Sequence, residues 1–432
     1  MVIPGVLILA GLYYYLIRKP ERLLLAYLFA LPLFPPLPIG PIEISVLDLL
    51  TIPAMIYLIY HLGQNGFKIS GYFTSGFLLF VTVAAISFIS FSIQQMTFSA
   101  ILFMKLFRLI EMLLPVLLAV LIAARMRIDR IILFFLVGGG LAALAGIIMY
   151  LAGYSYKPSQ TFASLGEFIF RAAGTHGDSG SFGNLMGLVS LVGIWTLIYG
   201  KEISGTFSRR AQIFLAWSAM ILSTGALTLS LSRGGIVLLA IGLVVILAPL
   251  TRNPRRLLKV IFISAMIILL AVGLFGTFVE NDLILKAVNM LGERLNSFSD
   301  LTTDFETVSS RRTIFWEKSW LLWSGNIMAW PFGLGYKSLD NFYDSLPDNN
   351  FFQALFEMGL VGVMALIFLI YGGFRAGIDR FRHNRPSGIL VLAIWIGIIS
   401  NMFSADVLTY WHNIPPIFII LVVFTHEFST AN

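Results

Sequence analysis

The stretch ALTLSLSRGGIVLLA, residues 226–240, closes one apolar run at Leu231 and opens another at Ile236, with Ser232-Arg233-Gly234-Gly235 between them. Each flanking run has the length that crosses a hydrocarbon core, about 17 to 25 residues. The stretch therefore reads as the link between two membrane spans, at 211–229 and 234–250. The pattern recurs along a chain of 432 residues, 58% of them hydrophobic and 12% charged. Further runs fall near 2–17, 23–40, 45–62, 72–92, 99–124, 131–153, 182–199, 258–279, 351–374, 388–405 and 411–427. The expected fold class is an all-α polytopic membrane protein of about 12–13 transmembrane helices, with a large outer loop before the last three spans. The first run, Val2 to Ile17, lacks a basic n-region and a small-residue cleavage site and reads as a retained span.

Charge sets the orientation. One series of alternate connections holds Arg18, Lys19 and Arg22; Lys68; Arg125, Arg127 and Arg130; Lys201, Arg209 and Arg210; Arg252, Arg255, Arg256 and Lys259; and Arg375, Arg380, Arg382 and Arg385. Basic residues gather on the cytoplasmic side, which puts the amino terminus outside and the carboxyl terminus inside. The net charge of +7 is spread over these clusters and not over one face, so no nucleic-acid partner is expected. With no cysteine and five scattered histidines there is no thiolate or His-rich metal site, and neither metal nor cofactor is expected.

The chain divides into N-terminal transmembrane helices (1–153), a second set of helices with polar motifs at their ends (154–279), a large outer loop (280–350) and C-terminal transmembrane helices (351–432). Two outer connections, Tyr154 to Ser181 and Glu280 to Asn350, are too long to be turns, and such loops carry function. In the second, RRTIFWEKSWLLW spaces Phe315, Trp316, Trp320 and Trp323 at helical intervals. It is either an amphipathic helix at the outer membrane interface or a helix covering the protein's own core. The Pro-rich LPLFPPLPIGP ends the second span.

Ionisable residues inside a membrane need a partner or a task. Lys105, Arg108 and Glu111 share one helix face, and Arg108 with Glu111 reads as a self-neutralising pair near the cytoplasmic end. Arg233 has no acid within a helical turn. Ser232 can cap the following helix, whose N-terminus then offers N–H groups and a positive dipole end beside the guanidinium, while Gly234 and Gly235 admit a ligand or another backbone. The arrangement suits an anion; the alternative is a snorkelling side chain in a tight hairpin. Arg171, Arg294, Arg311 and Arg312 lie on the same side. In PDNNFFQALFEMGLVG, residues 347–362, Asp348, Asn349 and Asn350 stand where a helix is capped, and Glu357 follows in an apolar run. In RAAGTHGDSGSFGNLMGL, residues 171–188, Arg171, His176, Asp178 and Asn184 sit among small residues.

Together these motifs resemble the O-antigen ligase and O-antigen polymerase superfamily. RAAGTHGDSGSFGN is similar to its Arg…Gly-Thr…Asn region, LSLSRGG to its Ser-Arg-Gly-Gly, RTIFW (312–316) to its Arg-x-x-x-Trp, PFGLGY (331–336) to its Pro-x-Gly-x-Gly, and DNNFFQALFEMGLVG to its His-Asn-x-x-Leu…Glu-x-Gly-x-x-Gly. The resemblance spans roughly residues 170–365. It implies a GT-C-like glycosyltransferase in the bacterial cytoplasmic (inner) membrane, acting on its outer face on undecaprenyl-pyrophosphate-linked glycans. The implied partners are a lipid-linked donor and acceptor, the bilayer, and a chain-length regulator and flippase of the same pathway. Arg233, Arg312, Arg311 and Arg171 would bind pyrophosphate, with Arg233 and Arg312 foremost. Asp348 would be the base, Glu357 a reserve base or the counter-ion of an arginine, and His176, Asp178, Asn184 and Asn349 weaker glycan contacts. Asp348 departs from the ligase pattern, which has histidine there, and this favours a repeat-unit polymerase over a ligase acting on lipid A core. A transporter or flippase of lipid-linked anions is the reading from another class; it requires a polar path to the cytoplasmic side, which only Lys105, Arg108 and Glu111 could continue.

Overall fold

The computed structural model describes residues 11–39, 42–65, 71–94, 100–154, 162–164, 167–169, 171–202, 208–252, 312–339 and 348–426. After a helical stretch at 11–18, the helices are α1 (Pro20–Leu33), α2 (Val46–Asn65), α3 (Tyr72–Gln94), α4 (Ala100–Ile122), α5 (Ile128–Leu151), α6 (Ser179–Tyr199), α7 (Arg209–Ser230), α8 (Arg233–Leu247), α9 (Arg312–Ser324), α10 (Ala329–Phe332), α11 (Asn350–His383), α12 (Arg385–Met402) and α13 (Ile414–His426). Among the described residues nine helices are long and apolar enough to cross a membrane, with the shorter apolar Ile414–Thr425 beside them. The chain is thus an all-α polytopic membrane protein. Two antiparallel hairpins of three-residue strands, β1 (Leu37–Ile39) with β2 (Ile42–Ile44) and β3 (Phe162–Ser164) with β4 (Glu167–Ile169), interrupt it. The expected span at 258–279 and most of the expected outer loop lie outside the described residues.

The span expected at 23–40 is shorter than its hydropathy suggests. α1 stops at Leu33, because Pro35, Pro36 and Pro38 supply no backbone donors and fix φ, and the chain turns into β1. Elsewhere the ends follow local capping chemistry. Ser208 Oγ accepts from Ala211 N, Ser232 Oγ from Gly235 N and Asn384 Oδ1 from Ser387 N, starting α7, α8 and α12.

α6 runs through the bundle with nearly every residue buried and packs along both α7 and α8. Small residues permit this approach: a Cβ on Gly183 would meet the Ser232 side chain, and one on Gly187 would lie 2.6 Å from the Gly235 carbonyl oxygen. α13 is buried on all sides between α4, α12 and α1, as a helix apolar around its whole circumference should be. The start of α6, α8, α11 and α13 and the end of α1, α7 and α12 meet at one end of the bundle. Thr175 Oγ1 donates to the Pro32 carbonyl, Arg171 reaches the end of α7, and Asn413 Nδ2 donates to the Ser181 carbonyl. The basic connections after α4, α6, α8 and α11 fall at the other end.

One expectation about charge is corrected here. Arg108 Nη1 pairs with Glu111 Oε2 at 3.1 Å, but it also binds Asp48 Oδ1 at 2.7 Å and Ser45 Oγ at 2.9 Å, and its guanidinium lies 5.2 Å from the centre of the Trp411 ring. Ser45 precedes α2 and Trp411 precedes α13, so the group belongs to the end of the bundle that carries Ser232, not to the end with the basic clusters. The counter-charges of Arg108 come from two elements, Asp48 of α2 and Glu111 of α4, and not from α4 alone.

Candidate functional site

The Ser232-Arg233 link is a two-residue turn. α7 ends at Ser230, Leu231 takes a left-handed conformation (φ 50°), and Ser232 caps α8 with Arg233 as its first residue. Arg171 fastens this turn: its Nε donates to the Ser230 carbonyl at 2.9 Å and its Nη2 to the Leu231 carbonyl at 3.3 Å. A guanidinium is a fork of donors without an acceptor, and here it takes up two carbonyls that the helix end leaves open. Gly234 and Gly235 are small because the protein itself closes on them: a Cβ on either would collide, with the Asn401 amide and the Gly183 carbonyl respectively. Asn401 Nδ2 in turn donates to Asn184 Oδ1 at 2.6 Å, joining α12 to α6 beside Arg233's helix start.

The residues of 171–188 are placed by their own rules. Asp178 caps α6 by accepting from Ser181 N. His176 is buried; its Nδ1 lies 3.2 Å from Ser181 Oγ, and its ring stacks on His412 with centroids 4.3 Å apart. Burial out of water pushes its imidazole pKa down to about 4, against smaller upward effects from Pro32 and Asp178. Both residues are built into the frame.

The α11 motif contains a break. Gly359 has φ 70° and ψ −165° inside the helix, so the chain runs as two helices joined at that residue. Into the gap fits the 331–335 loop: Leu334 N donates to the Phe356 carbonyl at 2.8 Å and Gly335 N to the Glu357 carbonyl at 3.0 Å. Gly333 (φ 77°) lies against the Glu357 backbone, and a Cβ on Gly359 would sit 2.5 Å from Pro331 C. The Pro-x-Gly-x-Gly and Glu-x-Gly motifs are therefore two halves of one joint. Asn349 caps α11, accepting from Phe351 N and Phe352 N while its Nδ2 donates to the Phe403 carbonyl, which commits both ends of its amide to structure. Asp348, half-buried with φ 43°, stands just outside the cap. Glu357 is 0% exposed and its Oε2 accepts from Gln353 Nε2 at 2.9 Å.

Arg311 lies outside the described residues, and of Arg312 the helix position is described, at the start of α9. That helix covers part of the protein's own core and leaves another face exposed. Trp316 packs on Phe352 and Trp323 is buried with its Nε1 donating to the Ala329 carbonyl, while Trp320 and Leu321 stay exposed.

The element that joins these parts was not foreseen. The α12–α13 connection, residues 403–413, touches nearly all of them. The Phe403 carbonyl accepts from Asn349, Asp406 binds Lys337 and Asn350, Trp411 covers Arg108, His412 stacks on His176, and Asn413 holds Ser181. A signal was present: Asp406, Thr409, His412 and Asn413 crowd a stretch whose ends hydropathy assigns to two spans. Lys337, in the loop before α11, was likewise missed. Among the described residues three non-glycine residues have positive φ, Leu231, Lys337 and Asp348, and all three border these motifs. Backbone held in such conformations concentrates at functional sites. Among the described residues no His, Cys, Asp or Glu group is arranged to hold a metal ion.

Residues 218–367 match the family model described as O-antigen ligase. No curated protein matches the chain. The matched segment holds the Ser232-Arg233 turn, α9, the 331–335 loop and α11 through its break, and over these residues the chain is similar to that family.

Proposed function

We propose that the protein polymerises oligosaccharide repeat units carried on undecaprenyl pyrophosphate, at the bundle end that bears Arg233 and Asp348, facing outward from the cytoplasmic membrane. The observation that carries the reading is convergence: motifs far apart in sequence, at the starts of α6, α8 and α11, are tied to one another through Asn401 and residues 403–413. In the reaction an acceptor sugar hydroxyl bonds to the donor's anomeric carbon. The bond from that carbon to the pyrophosphate oxygen breaks, and its electron pair leaves with undecaprenyl pyrophosphate. The hydroxyl proton passes to the Asp348 carboxylate, at the outer start of α11. Arg233, seated on the N-terminus of α8, meets the growing pyrophosphate charge with both its guanidinium and the helix dipole. Arg312, the first residue of α9, and Arg311 before it in sequence add charge, and Arg171 fixes the turn that aims Arg233. The Arg108 group sits at this same end, which takes away the step a transporter's polar path needed.

The test is purified protein supplied with undecaprenyl-pyrophosphate repeat units alone, in EDTA, with products resolved by size. A ladder without further acceptor is expected, lost in Asp348→Asn and reduced about a hundredfold in Arg233→Lys, which keeps the charge and loses the planar fork. The family description favours a second reading, a ligase. Product only after lipid A core is added would establish that reading in place of the polymerase, and a ladder abolished by EDTA would overturn the role given to the arginines.

A further inference from the structure

The first turns of α11, which follow Asp348 in the chain, belong to a run of buried polar side chains that the reaction as written does not use. Lys337, Asp406, Asn350, Gln353 and Glu357 are each at most 6% exposed. Lys337 Nζ donates to Asp406 Oδ2 and, at 3.5 Å, to Thr409 Oγ1. Asp406 Oδ1 accepts from Asn350 Nδ2 at 2.8 Å, and Oδ2 also accepts from Thr409 Oγ1 at 2.7 Å. Asn350 Oδ1 takes the backbone N–H of Val407 at 2.8 Å, its Nδ2 also reaches Gln353 Oε1 at 3.2 Å, and Gln353 passes the chain on to Glu357.

Every donor in this chain has a direction, so the amides cannot turn without losing a bond. The chain links three segments that local sequence does not hold together: the loop after α10, the first two turns of α11, and the α12–α13 connection. Lys337 is also held at φ 59°, a conformation that a solvent-exposed lysine would relax. A buried ammonium with its carboxylate is weak as a source of stability but well suited to fixing one arrangement among several.

We propose that Lys337 and Asp406 are positioning residues for Asp348: through Asn350 their ion pair sets the first turn of α11, and with it the angle at which the Asp348 carboxylate meets the acceptor hydroxyl. The inference rests on Asp348 being the base.

The experiment is a double-mutant cycle on the full-length protein in lipid nanodiscs, with undecaprenyl-pyrophosphate repeat units as substrate and turnover counted per folded molecule. Lys337→Met and Asp406→Asn should each lower kcat by about tenfold or more and leave KM within about twofold, since the donor-binding arginines are untouched. Lys337→Arg should recover much of the loss. The double variant should be no slower than the worse single variant, because both changes remove one strut. Losses that multiply, or wild-type kcat per folded molecule with only a lowered melting temperature, overturn the proposal. Where a single variant fails to fold because a lone charge is buried, the neutral double variant decides: the same drop in kcat supports the strut, and wild-type kcat refutes it. Asp348→Asn in the same assay separates the two levels. Full turnover there removes the base itself, whereas an inactive Asp348→Asn beside fully active Lys337 and Asp406 variants removes only the strut.

Discussion

His176 shows how far a residue's meaning depends on where it is folded. In the sequence it stands among glycines and serines as a polar group open to a sugar; in the structure it is buried against His412, and burial holds its imidazole neutral with a pKa of about 4. Unfolded, the same side chain titrates near 6.5, so between these values the unfolded chain binds more protons than the folded one. Stability from this site is complete above about pH 6.5 and is lost as pH falls toward 4. Melting curves of wild type and His176→Gln between neutral pH and pH 4.5 should therefore converge in acid, with wild type losing more; parallel curves would mean that His176 does not titrate in this way. Asn349, Asp178 and Ser232 are the opposite case. Each caps a helix where its position in the sequence places it, because an N-cap is decided by a side chain and the next three residues.

At the scale of elements, α11 carries the site's least replaceable joint. Gly359 (φ 70°, ψ −165°) and Gly333 (φ 77°, ψ −173°) both lie in a region that essentially only glycine occupies, and each faces the other segment's backbone. Gly359→Ala should cost about 3 kcal/mol or more from strain and collision together, seen as a lowered melting temperature in detergent and a loss of ladder formation. A melting temperature within a degree or so of wild type would mean the break is relaxed and not locked. Hydropathy finds most of the spans because each is a long uninterrupted statement of one property. It merges α11 into one span because Phe, Leu and Met continue on both sides of the break, and it misplaces the end of α1 because proline's lost donors are invisible to it.

At the scale of the molecule, what could be read was the membrane, the alternation of the chain and the order of the motifs; what could not was the hub at 403–413. Lys337 finds its carboxylate 69 residues away, and no local pattern announces such a pairing. The break in α11 also bears on how the protein sits in its lipid. A straight helix over Asn350–His383, 34 residues, would measure about 51 Å at 1.5 Å per residue, far more than a hydrocarbon layer of about 30 Å. Residues 360–383 alone run about 36 Å and can lean to suit the layer, while 350–358 stay fastened to the 331–335 loop and to Asp406. Independent leaning of the two parts at Gly359 would uncouple bilayer thickness from the start of α11. Turnover in nanodiscs of short-chain and long-chain phosphatidylcholine should vary by less than about twofold, and a steep dependence on chain length would show that tilt is carried through to Asp348.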